Sequence, residues 1–224
     1  MSYGMSFATL EATLAVHFGI RPDDYGKFRA RIKQLQRLGF PPGVNVGRGT
    51  KFEYSIENFL QLAVAFELMN CGLTGKLVTD IVVEHWPKIA SGIWMAHERD
   101  PNGNWSADGL PCVYLDLEVR GLQNSDGKFS RIRIEDDFSR RERDNPFRAQ
   151  RSMVSIDLVS FTSDVLQNLS TVGRFPASIA HDELKAYSAI AKSLRSSKLF
   201  ERTEWFRVGC YDEHGEVIHD GNDS

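Results

Sequence analysis

Apolar positions in the first part of the chain recur at helical spacing, and beyond residue 110 they begin to alternate. Leu10, Leu14 and Phe18 come every four residues, after Ser6 as a helix cap and before Gly19 as a stop, which predicts a helix over 7–18. Arg21-Pro22-Asp23-Asp24 then reads as a turn, with proline at a first helical position and acids near the positive end of the next helix. Phe28, Ile32 and Leu35 form the i, i+4, i+7 stripe of a second helix. It starts near Lys27, because Gly26 inside a helix costs about 1 kcal/mol. The stripe turns Lys27, Arg31, Lys33, Gln34 and Arg37 outward and leaves Arg29 at the margin. Gly39-Phe40-Pro41-Pro42 ends this helix. Short strands over 44–46 and 50–54 flank a Gly47-Arg48-Gly49 tip with Lys51 beside it, and Phe52 and Tyr54 share one face. Ser55 caps a third helix that closes at Gly72. Thr74 begins a fourth through Leu77, Val78, Ile81, Val82 and Trp86, which Pro87 is expected to stop, with a further turn or two over 89–95.

Residues 97–111, rich in Asn, Gly, Pro and Asp, read as a boundary. Beyond it Val113, Leu115, Leu117 and Val119 alternate with Tyr114, Asp116, Glu118 and Arg120, the mark of a half-buried strand. Further strands are expected over 129–135 and 153–161, a short helix over 163–169, an amphipathic helix over 181–196 and a terminal hairpin of 204–211 with 217–219. The fold class is therefore α+β. A helical domain (1–95) carrying a hairpin wing, a linker (96–110) and a smaller α+β domain with a mainly antiparallel sheet (111–224) make up the chain.

Charge changes the picture. The net charge of −3 argues against a nucleic-acid partner, but residues 1–95 carry +2 and residues 96–224 carry −5. Between Arg21 and Lys51 eight basic residues face two acidic ones. Local excess on one face, not the total, sets attraction to phosphate. A basic helix beside a basic, glycine-tipped hairpin is the layout of winged helix-turn-helix DNA binding, with the helix in the major groove and the wing on the flanking backbone. The same basic helix face is also what an ordinary solvated helix presents.

The order helix, turn, basic helix ending in Leu38-Gly39-Phe40-Pro41-Pro42, glycine-bearing wing, then two apolar helices resembles the MerR-like family of bacterial transcription regulators. Tyr54-Ser55-Ile56-Glu57-Asn58-Phe59-Leu60-Gln61-Leu62 and Met69-Asn70-Cys71-Gly72-Leu73-Thr74 carry the resemblance most closely, which covers residues 7–86. It implies that Arg29, Arg31, Lys33 and Gln34 lie on a recognition helix and Arg48 and Lys51 on a wing. Two features depart from the family. The segment before the recognition region is several residues longer than the usual turn, and Pro87 with the following linker stands where a long dimerising coiled coil is usual. The family's metal and drug sensing is therefore not carried over.

The expected function is that of a sequence-specific transcription regulator of bacterial or prophage type, working on double-stranded DNA through Lys27, Arg29, Arg31, Lys33, Gln34, Arg37, Arg48 and Lys51. A homodimer is expected, with the C-terminal domain as dimerisation or partner surface, and neither an enzyme nor a cofactor or metal is implied. The alternatives are a protein-interaction module on the same fold that leaves DNA alone, or a metal-dependent nuclease using Asp116, Glu118 and Glu135-Asp136-Asp137. Acids on the exposed side of a sheet are the plainer reading of that last group. His17, His85 and His97 are isolated and read as structural, His181 suits a helix N-terminus, and His214 and His219 fall in the terminal hairpin. Trp86, Trp94, Trp105 and Trp205 suit core or interface positions. Cys71, Cys112 and Cys210 are far apart and odd in number, as expected of reduced thiols. With no signal peptide or apolar span visible, a cytoplasmic location is expected.

Overall fold

The computed structural model describes residues 4–44, 52–99, 113–118, 131–136, 153–196, 210–211 and 217–218. Helix α1 spans Phe7–His17, with the Ser6 hydroxyl accepting the Thr9 N–H at 3.1 Å. A single 3-10 turn over Pro22–Asp24 leads into α2, Tyr25–Arg37. Helix α3 is Ile56–Asn70, and its start carries a full capping box. The Asn58 N–H donates to the Ser55 hydroxyl at 3.1 Å and the Ser55 N–H donates to the Asn58 side-chain oxygen at 3.2 Å. At its end the chain turns through Gly72 at φ +91°, a left-handed conformation that glycine adopts without strain.

Helix α4, Gly75–Arg99, runs unbroken through Pro87, against the expected stop. The proline sits on an exposed side of the helix, four residues after the exposed Val83, whose carbonyl loses its helical donor where water can replace it. Past that point Ile89, Ala90, Ile93 and Trp94 are all buried, and this burial carries the helix onward.

Strands β1 (Val113–Glu118), β2 (Arg131–Asp136) and β3 (Met153–Asp157) form an antiparallel sheet in the order β2-β1-β3. Leu115 stands opposite Ile134 on one side and Ile156 on the other. The third strand is shorter than the pattern suggested. Asp157 caps helix α5, Leu158–Thr171, by accepting the N–H groups of Val159 and Ser160, so the chain changes from extended to helical there. The single amphipathic helix expected over 181–196 is two helices, α6 at Ala177–Lys185 and α7 at Ser188–Ser196, separated at Ala186 and Tyr187. His181 accordingly lies mid-helix, not at an N-terminus. A short antiparallel pair, β4 (Cys210–Tyr211) with β5 (Val217–Ile218), forms the expected terminal hairpin in part.

One continuous buried cluster extends from Met5 to Ala191. Helix α4 joins its parts. Near its start, Gly75 approaches Leu35 of α2 and Met69 of α3. In its middle, the Trp86 indole N–H donates to the Tyr187 hydroxyl at 3.1 Å. Nearer its end, Gly92 faces Ile134 of β2 and Leu158 of α5, and a methyl group there would come within 2.7 and 2.8 Å of their terminal carbons. The helical part and the sheet thus share a core across the expected boundary, whose first residues, 97–99, belong to α4 and whose residues 100–111 lie outside those described. Among the described residues no helix is long and apolar enough to cross a membrane.

Candidate nucleic-acid interface

Helix α2 buries Phe28, Ile32 and Leu35, as its apolar stripe predicts, and exposes Lys27, Arg29, Arg31, Lys33, Gln34 and Arg37. At roughly 100° per residue, Gly26, Ala30, Lys33 and Arg37 lie farthest from the buried line. Lys27, Arg31 and Gln34 follow one flank of that ridge, and Arg29 with Gln36 the other. No Asp or Glu occurs within the helix, and Arg37 occupies its last turn, where the dipole favours a cation.

These basic groups are not equivalent. The Lys27 ammonium donates to Asp24 at 2.9 Å, and Arg21 reaches the same carboxylate at 3.4 Å. The hydrogen bond and charge of Lys27, helped by Arg21, hold the Asp24 carboxyl below its usual range. Arg29 places Nε and Nη2 on the two oxygens of Glu11, each at 2.7 Å, in a bidentate pair across the α1–α2 angle. That hydrogen bonding, with the carboxylate charge, raises the guanidinium above its ordinary value. Glu11 itself is buried, so the Arg29 fork is anchored from beneath while more than half of the Arg29 side chain stays exposed. Arg31, Lys33 and Arg37 have no acidic partner among the described residues. They are the uncommitted charges of the helix. Arg48 and Lys51, expected on the wing, lie outside the described residues.

The chain returning from the expected wing is tied to this helix. The Gln36 amide donates to the Tyr54 hydroxyl at 2.7 Å, and burial of the ring pushes that phenol up. Tyr54 and Met5 exchange backbone hydrogen bonds at 2.8 Å in each direction, an isolated antiparallel bridge. The Tyr54 ring meets Phe7 at a tilt, with centroids 6.2 Å apart, and Phe52 edge-on at 5.0 Å. Phe52 and Tyr54 therefore pack toward the helices as their alternation indicated.

The acidic group weighed for metal chemistry is placed differently from the expectation. Asp116 is not on an open polar face; it is buried and accepts the Ser155 hydroxyl from the neighbouring strand. The side chains of Glu118, Glu135 and Asp136, and all of Asp137, fall outside the described residues. Among those described, no cluster of three or more His, Cys, Asp or Glu side chains is arranged to hold an ion. Two features escaped the sequence. The Glu11 anchor was detectable only as an acid adjoining the buried Leu10, and the pairing of His97 with His181 spans 84 residues. No family model, curated protein or solved structure matches the chain.

Proposed function

We propose that the N-terminal helices form a winged helix-turn-helix unit that binds double-stranded DNA, and that the chain is a cytoplasmic transcription regulator of bacterial or prophage type acting as a homodimer. The observation that carries this reading is the exposed face of α2: Arg31, Lys33 and Arg37, uncompensated among the described residues, on a helix without a single acid. A ridge of this kind neutralises phosphates with steep salt dependence. Gln34 and the arginines add base contacts worth roughly 1–3 kcal/mol each where a bidentate geometry is met. In this role Arg29 is a fixed contact, Lys27 a partly screened one, and Arg48 and Lys51 reach the flanking backbone from the wing. The acidic C-terminal part supplies the dimer or partner surface.

Fluorescence anisotropy with a random-sequence duplex across a salt series tests this. Affinity falls steeply with salt, and Arg31→Ala with Lys33→Ala lowers the slope of log affinity against log salt by about 2 in magnitude. Glu11→Gln releases the Arg29 charge and steepens the slope by up to about 1. Negligible binding at low salt, with the fold intact, points instead to a protein-interaction module.

A further inference from the structure

Where α4 ends against α6, two imidazoles meet. His97 Nε2 lies 3.1 Å from His181 Nδ1, with the ring centroids 5.3 Å apart. Trp94, one helical turn before His97, flanks both rings at centroid distances of 5.9 and 5.3 Å. His97 is buried at 9% exposure, whereas His181 opens to solvent. We propose that His97 Nε2 and His181 Nδ1 form a two-nitrogen chelate for a transition-metal ion of the copper, nickel or zinc class.

Spacing is the first reason. Two imidazole nitrogens on one tetrahedral ion, each at roughly 2.0–2.1 Å, stand about 3.3–3.4 Å apart. The observed 3.1 Å is within a few tenths of an ångström of that, so the spacing is met once both rings turn to aim their lone pairs at one ion. Donor type is the second, because neutral imidazole suits copper, nickel and zinc and not the hard oxygen-seeking cations. Access is the third: the buried His97 and the Trp94 face wall one side while the His181 side admits the ion. Without metal, one imidazole donates its N–H to the other. Binding moves that proton to the donor's remaining ring nitrogen, so that both facing nitrogens offer lone pairs and no net proton is lost from two neutral rings. Among the described residues no third His, Cys, Asp or Glu side chain forms a cluster with the pair. The ion bridges α4 to α6 and does not depend on how α2 is used.

Calorimetric titration of the full chain at pH 7.5 with Cu2+, Ni2+ and Zn2+ salts is the test. One ion binds per chain at this site, with Cu2+ tightest, as the general order for nitrogen donors requires. His181→Ala, at an exposed position, weakens Cu2+ binding at least tenfold with unchanged far-ultraviolet dichroism, and His97→Gln does the same. His214→Ala combined with His219→Ala leaves the site intact. Cu2+ bound here also quenches tryptophan emission through Trp94, and His181→Ala abolishes that quench. Absence of binding to the native chain, equal affinity in His181→Ala, or loss of binding in the His214/His219 double variant would overturn the assignment.

Discussion

His17 ends α1 with its side chain almost wholly buried between the edges of Phe18 and Phe161. Its Nδ1 faces the Asn168 amide at 3.5 Å, while Nε2 has no hydrogen-bond partner and points toward Glu67 of α3 at 3.9 Å. Burial lowers the imidazole below its ordinary 6.5, with the charge of Asp164 opposing in part. Burial likewise raises the Glu67 carboxyl above its ordinary 4.5. The signs are opposite. The unfolded chain binds the His17 proton more readily than the folded one, so the contribution of His17 is complete above 6.5 and is lost as pH falls through its lowered value. Glu67 contributes fully below 4.5, and that contribution is lost as pH rises through its raised value. We therefore expect His17→Phe to flatten the fall in melting temperature on acidification from pH 7.5 to 5.5. Glu67→Gln should raise stability at pH 7.5 and make the acid fall steeper. Melting curves at half-unit pH steps decide this, and parallel curves for wild type and His17→Phe would refute it.

Among the elements, α4 is the least expected from its sequence. A proline inside a helix removes one hydrogen bond and crowds the preceding turn, a cost of about 3 kcal/mol in an unsupported helix. Here the exposed side of α4 absorbs it, because Pro87 and Val83, whose carbonyl loses its donor, are both exposed. Pro87→Ala should consequently raise stability by about 1–2 kcal/mol, less than the full penalty because proline also restrains the unfolded chain. Urea denaturation measures the difference, and a destabilised variant would mean that Pro87 makes a packing contribution larger than its helical cost. Helices α1 and α3 show the opposite situation, with caps, apolar stripes and terminating glycines in agreement; α2 keeps its stripe and its terminating Gly39 but has no side-chain cap and begins at Tyr25, taking in Gly26 ahead of the expected Lys27. Those are also the elements that present the α2 face.

Over the whole molecule, the close approach at Gly92 joins the helical part to the sheet. Alanine is the better helix former by about 1 kcal/mol. Against that, its methyl would lie 2.7–2.8 Å from Ile134 and Leu158, both buried and with little room to yield. Overpacking of a filled core costs about 1–3 kcal/mol, so the clash wins and Gly92→Ala is destabilising. The size of the effect also reports on cooperation between the parts. If the shared core couples them, the shift appears equally in tryptophan emission and in far-ultraviolet dichroism. Separate transitions by the two probes would contradict that coupling.

Local chemistry by itself determined the helices over residues 7–37 and 56–70, the turn glycines and the outward set on α2, because period, caps and turn residues act within a few neighbours. It also placed β1, whose alternation is strict, although the burial of Asp116 by the surrounding structure reversed the expectation for its polar face. Tertiary contacts decided the rest. They carried α4 past Pro87, divided 177–196 into two helices with Tyr187 seated on Trp86, fastened Arg29 to Glu11 and brought His97 to His181. None of these is a property of a short window. Each depends on burial free energy or on side chains far apart in the chain, which only the assembled core brings within reach.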